Sequence, residues 1–290
     1  MPEVPWLPAG HTITLADRGE VFYRHHVHRD PAAPTVLLLH GWTASADVQF
    51  FTAYKTLAEV CSFVAIDHRG HGRGMRVRFS LEDAADDAAA LVQRLGLGPV
   101  IVVGYSMGGP ITLLVTQRHR QLVRGIVLQA TALEWRAQRW ERWRWKAVGV
   151  LGSTMRSRLY PRALRFALNK LSTEQPAMAR WNDWLVGEIR RGDPHGIVDA
   201  GKALAAYDAR GFASTLQVPT EVLVTTKDRL VFPHKQRAMA AALNGRTTEL
   251  VGDHLCTLAR PTEYAAATAA QVSRLAESSS DSVPVPRSAG

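Results

Sequence analysis

A chain of 290 residues, 46% hydrophobic and 21% charged, is long enough to bury a sizeable core and fits one large α/β sheet carrying an insertion. The formal net charge is +9, and residues 131–210 hold 15 Lys+Arg against 8 Asp+Glu. A basic surface of this kind attracts nucleic acid, anionic lipid or acidic substrates without choosing among them. Two cysteines, Cys61 and Cys256, argue against a disulfide framework and against a cysteine metal site. With no basic-then-apolar N-terminal stretch and no apolar run of roughly 18 residues, the expectation is a cytoplasmic protein without signal peptide or membrane span.

In chain order, His11 to Val27 reads as two strands broken by the turn signal Asp17-Arg18-Gly19-Glu20. A Pro-rich loop follows, then an apolar strand over 35–39 that ends at His40-Gly41-Trp42. The spacing predicts a helix over 47–59 and a strand over 61–66, ending in Asp67-His68-Arg69-Gly70-His71-Gly72. Ser80, with Asp83 three residues on, caps a helix running to Leu95. Strand 100–104, helix 107–119 and strand 124–129 come next. Residues 131–210 look helical, with no strand-like run. The rhythm resumes with strand 220–226, helix 234–243, strand 247–251 and helix 261–276, and the Ser/Pro-rich tail 277–290 is expected to be disordered. Strands alternating with helices imply an α/β fold, a mostly parallel sheet with helices on both faces. The domain reading is a core of 1–130 and 211–276 interrupted by a helical insertion, 131–210.

Gly104-Tyr105-Ser106-Met107-Gly108 is a G-x-S-x-G segment lodged between a strand and a helix. In that setting it is a candidate nucleophile elbow, with the serine at a helix N-terminus that favours developing negative charge; the alternative is a glycine-rich turn with a solvated serine. A serine hydroxyl needs a base, and the base needs an orienting group. In the order serine, acid, histidine, each following a strand, the candidates are Asp228 and His254. Glu134 is the rival acid, and a purely hydrogen-bonding loop histidine is the alternative for His254. Acyl transfer also needs two N–H donors for the oxyanion. Those of Met107 and Trp42 are the candidates, with Trp42, Tyr105 and Trp135 as substrate contacts. His40 is expected to hold its loop, while His68 and His71 lie near enough to be considered as substrate contacts. The sequence carries no P-loop, no dinucleotide fingerprint after the first strand and no metal-ligand spacing, so no cofactor and no metal are expected.

Together His40-Gly41-Trp42, Asp67-x-Arg69-Gly70-His71-Gly72, Gly104-x-Ser106-x-Gly108-Gly109, Asp228 and His254 resemble the α/β-hydrolase family, among which small esterases, monoacylglycerol-lipase-like enzymes and cofactor-free haloperoxidases or perhydrolases are the nearest in pattern. Two segments depart from it. Arg73 follows Gly72 where relatives usually carry serine, and Phe232 separates Val231 from Pro233 in the acid segment.

The resemblance implies that 131–210 is a lid that sets substrate choice. Six of eight tryptophans lie there (Trp135, Trp140, Trp143, Trp145, Trp181 and Trp184), the first four interleaved with Arg136, Arg139, Arg142, Arg144 and Lys146. They suggest either tryptophans packed on the core with arginines stacked on them or a peripheral contact with anionic lipid; nucleic acid is not expected. The functional expectation is a serine hydrolase acting on a small-molecule carboxylic ester with an apolar acyl group. C–C bond hydrolysis or lyase chemistry, perhydrolysis and a non-enzymatic ligand receptor are the alternatives, and the oligomeric state stays open.

Overall fold

The computed structural model describes residues 3–136, 141–142, 145 and 148–280. Eight strands form one sheet: β1 (Ala9–Leu15), β2 (Gly19–His26), β3 (Thr35–Leu39), β4 (Ser62–Ile66), β5 (Val100–Tyr105), β6 (Val123–Gln129), β7 (Thr220–Thr225) and β8 (Arg246–Leu250), in the spatial order β1-β2-β4-β3-β5-β6-β7-β8. Strand β2 runs antiparallel to β1 and β4, and all other pairs are parallel. The strand order reverses at β3: the chain steps from β3 to β4 on one side and returns to β5 on the other. A crevice therefore opens beyond the carboxyl ends of β3 and β5, where parallel sheets place their ligands.

The period-two alternation of the strands divides the core into two layers. Leu37, Leu39, Val64, Ile66 and Val102 face Ala84, Ala88, Leu91 and Ile111 from helices α3 (Leu81–Arg94) and α4 (Gly108–Arg118). Val36, Leu38, Phe63, Ala65, Ile101 and Val103 face the opposite layer, which includes Tyr54, Leu57, Tyr264 and Val272. Ser80 caps α3 as expected, accepting from the Asp83 N–H at 3.0 Å while its hydroxyl donates to the Asp83 carboxylate at 2.8 Å.

Two elements differ from expectation. The helix expected over 47–59 is two short helices, α1 (Ala46–Phe50) and α2 (Tyr54–Ala58). The chain bends where the Thr52 hydroxyl donates to the Thr257 carbonyl, which lets Phe50, Phe51 and Tyr54 all be buried. The last helix runs over Pro261–Ser280, four residues into the stretch expected to be disordered, because extending an existing helix needs no new nucleus. The rest of that tail, 281–290, lies outside the described residues.

Between β6 and β7 the chain leaves the sheet and forms α5 (Val148–Arg156), α6 (Tyr160–Glu174), α7 (Asn182–Ile189) and α8 (Pro194–Ala206). An antiparallel bridge between Glu134 and Asp208 and a bond from the Ala209 N–H to the Leu133 carbonyl close its base. Trp181 and Trp184 pack edge-on against Phe51 at 5.3 and 5.0 Å, and the Arg180 guanidinium lies over Trp181, so this pair follows the core-packing expectation. Trp140, Trp143, Arg139, Arg144 and Lys146 lie outside the described residues. After β7 come α9 (Pro233–Ala242), α10 (Cys256–Ala259) and α11, the last helix. Among the described residues no helix is long and apolar enough to cross a membrane.

Candidate active site

Ser106 stands directly after the fully buried strand β5 with φ at +52°, a conformation that costs a non-glycine residue energy and marks functional turns. The turn closes so tightly that a Cβ on Gly104 would lie 2.3 Å from the Gly108 carbonyl oxygen. A Cβ on Gly108 would lie 2.0 Å from the Leu39 carbonyl oxygen. Glycine at both positions is a steric requirement. The Ser106 N–H donates to the Gln129 carbonyl at 2.9 Å, pinning the turn to β6.

His254 enters on the loop after β8, with Nε2 2.9 Å from Ser106 Oγ and Nδ1 2.7 Å from Asp228 Oδ2. Asp228, on the loop after β7, is buried. Its Oδ1 accepts from the Leu230 and Val231 N–H groups at 2.8 and 2.9 Å, and its Oδ2 from the Thr225 hydroxyl at 3.0 Å. A carboxylate on Nδ1 selects the tautomer whose Nε2 lone pair meets the serine hydroxyl. The structure thus brings together the three residues singled out in the sequence. The rival acid is elsewhere: Glu134 is ion-paired with Lys235 at 2.7 Å.

The Gly41 backbone passes beside the serine, where a Cβ would lie 3.3 Å from Ser106 Cβ. Trp42 follows it and Met107 caps α4. Among the described residues the backbone N–H of neither meets an acceptor. His40 holds this loop, its Nδ1 donating to the Gly41 carbonyl at 2.8 Å and its Nε2 accepting from the His68 N–H at 3.0 Å.

A cavity of about 560 Å³ opens over Ser106 and His254, lined largely by apolar side chains, including Trp42, Trp135, Trp145, Leu164, Leu168 and Leu258. Trp42 also donates its Nε1–H to the Ile197 carbonyl at 2.7 Å, tying the end of β3 to α8. Trp145 donates to the Trp135 carbonyl at 2.7 Å. Tyr105 borders the cavity, but its hydroxyl donates to the His254 carbonyl at 2.9 Å. The tyrosine before the nucleophile therefore clamps the histidine loop. Gln236, buried on α9, is a further support that sequence reading missed. Its amide donates to the Thr225 hydroxyl and the Val231 carbonyl and accepts from the Thr225 N–H; a glutamine in a helix carries no motif that would announce this.

His68 and His71 do not reach the cavity. They are buried with His40, ring centroids 4.2 and 5.4 Å from it, and burial depresses the His68 and His71 pKa values to about 3 and about 4. Asp67 braces two loops, accepting from the Ala46 N–H at 2.8 Å and the Arg73 N–H at 2.7 Å. Its burial pushes its pKa up to about 7. Among the described residues no cluster suited to a metal ion is present.

The family model for the alpha/beta hydrolase fold matches residues 34–254, most of the chain. The chain belongs to this family. Among curated relatives of this α/β hydrolase, a bifunctional esterase/perhydrolase of Acinetobacter calcoaceticus is 37% identical over 99 residues, 33% of this chain and 35% of that protein. A pimeloyl-(acyl-carrier protein) methyl ester esterase of Neisseria meningitidis serogroup B is 28% identical over 74% of this chain and 82% of that protein. The solved enol-lactonase of Burkholderia xenovorans LB400 shares the fold with a TM-score of 0.76 at 20% identity, covering 91% of this chain and all of that one. These relatives support a hydrolase of the α/β-hydrolase class. Where relatives usually carry serine, this α/β hydrolase has Arg73, and the guanidinium reaches α7 to hold Glu188 at 2.7 and 2.9 Å. The departure is a strut between the sheet and the helical segment.

Proposed function

We propose that this α/β hydrolase cleaves carboxylic esters by way of an acyl-enzyme. The observation that carries the reading is the unbroken series Ser106 Oγ, His254 and Asp228, with contacts of 2.9 and 2.7 Å. In the proposed cycle His254 Nε2 takes the serine proton as Oγ attacks the ester carbonyl. Asp228 steadies the imidazolium, and the N–H groups of Trp42 and Met107 hold the oxyanion, an interaction worth about 3 kcal/mol per donor. The imidazolium then protonates the leaving alcohol. Water, deprotonated by the same nitrogen, attacks the acyl-enzyme, releasing the acid and returning the proton to Oγ. No step requires a cofactor. Helices α5–α8 act as the lid in this reading, and the cavity lining suits an apolar acyl or alcohol group, with Trp42, Trp135 and the Tyr105 ring as its contacts.

A second reading keeps the acyl-enzyme and lets hydrogen peroxide replace water in the second half, yielding a peracid; the match to an esterase/perhydrolase favours it. Ser106→Ala should abolish both turnover of p-nitrophenyl esters and labelling by a fluorophosphonate, with the fold unchanged by circular dichroism. Wild-type protein that neither labels nor turns over any ester from C2 to C16 would overturn the proposal. Supplying peroxide to a working esterase and assaying peracid separates the two readings.

A further inference from the structure

Helix α6 has two faces of opposite character. Leu164 and Leu168 are among the residues of its inner face that wall the cavity. The opposite face, read at helical spacing from Leu159, carries Arg162, Phe166 and Lys170. Phe166 is 74% exposed and Leu159 65% exposed. They lie two turns apart, with the exposed Arg162 and Lys170 between and beyond them. Among the remaining outward positions whose side chains are described, Ala163, Asn169 and Thr173 carry no charge, and Glu174, one turn after Lys170, ends the helix. Among the described residues Arg165, on the flank, is ion-paired with Asp183 at 2.8 Å. Exposed Arg156 and Arg158 extend the positive charge past the helix start.

We propose that the outer face of α6 docks on an anionic lipid surface. Apolar tips among cations on a convex helix face match the two components of such a surface: acyl chains at shallow depth and negatively charged headgroups around them. A nucleic acid fits less well, because Leu159 offers no ring for a base to stack on and the face is not a groove. The inference stands apart from the reaction proposed for Ser106. It also differs from the lipid contact expected of the Trp/Arg run at 135–146, since it uses a different element.

The test uses the full chain and sedimentation with vesicles of phosphatidylcholine alone or phosphatidylcholine with 30% phosphatidylglycerol. The expected result is binding to the anionic vesicles at low salt, weakened at high salt as screening shortens the reach of the charges. R162E/K170E should weaken that binding roughly 25-fold, on the order of fivefold for each basic residue removed from the surface. F166S should weaken it severalfold. R29E/R94E, which makes the same charge change on exposed positions elsewhere, should bind as the parent does. Unchanged circular dichroism and melting temperature establish that each variant is folded, whether or not an ester is ever turned over. No binding to anionic vesicles, equal binding to neutral ones, or equal losses in R162E/K170E and R29E/R94E would each overturn the proposal. So would binding of a single-stranded oligonucleotide, rather than vesicles, that depends on Arg162 and Lys170.

Discussion

At the scale of single residues, the candidate site depends on side chains that never face a substrate carbonyl. The Tyr105 hydroxyl spans from the serine turn to the His254 carbonyl, so one bond links the nucleophile's strand to the base's loop. Tyr105→Phe removes that bond while leaving the ring packed against Tyr264. The expected outcome is a kcat for ester hydrolysis reduced about tenfold with KM changed less than twofold, since a displaced base costs rate rather than binding. Fluorophosphonate labelling should slow in parallel; a KM effect alone would mean that the Tyr105 hydroxyl serves substrate binding rather than the His254 loop. The three polar residues Ser106, Asp228 and His254 were legible in the sequence because each sits at a strand end in a recognisable local setting. Tyr105 and Gln236 were not, because their roles arise from partners far along the chain. The same applies to His68 and His71, whose motif position suggested the site and whose side chains turn into the protein.

At the scale of elements, the helical segment is joined to the sheet chiefly through α7 and α8. Arg73 grips Glu188 on α7, the Gly70 carbonyl accepts the Asp193 N–H at 2.9 Å at the start of α8, and Trp42 donates to Ile197. The backbones meet at Gly70 and Gly196, where a Cβ on Gly196 would lie 2.6 Å from Gly70 Cα. Arg73→Ser, the residue usual in relatives, should lower unfolding free energy by ~1–3 kcal/mol, because buried Glu188 loses a bidentate partner and retains Arg191 at 3.1 Å. Denaturant melts of the variant check the magnitude. If α7 and α8 were merely laid on the sheet, the midpoint would not move. The helical character of 131–210 could be read from the absence of strand patterns. Which of its helices would be fastened could not, because the fastening residues Trp42, Gly70 and Arg73 belong to other parts of the chain.

At the scale of the whole molecule, the buried histidine cluster couples folding to pH. Folded His68 and His71 titrate near 3 and 4, against about 6.5 when unfolded, and His40 is also lowered by burial. As pH falls below about 6.5, the unfolded chain takes up protons that the folded one refuses, so stability falls until the folded values are reached. Asp67 acts with the opposite sign. Its folded pKa of about 7 exceeds the unfolded 3.8, so its contribution rises as pH falls from 7 to 3.8. More histidines than carboxylates take part, and the net expectation is a melting temperature that drops between pH 6.5 and pH 4.5. Among the described residues neither ring nitrogen of His68 has a hydrogen-bond partner, so His68→Leu should flatten that slope without a loss of stability at pH 8. A melting temperature independent of pH in the parent would contradict this account.

The sequence by itself determined the order of strands and helices, the turn that exposes Ser106 and the acid and histidine that follow it. These depend on periodicity, glycine sterics and position at strand ends, all of which are local. The tertiary structure decided what those residues stand against. The reversal of strand order at β3 places the Trp42 loop beside Ser106, the fold along α8 sets Gly196 on Gly70, and α6 turns one face to the cavity and the other outward. Each is a meeting of residues distant in sequence, and such contacts are chosen by the packing of the whole chain.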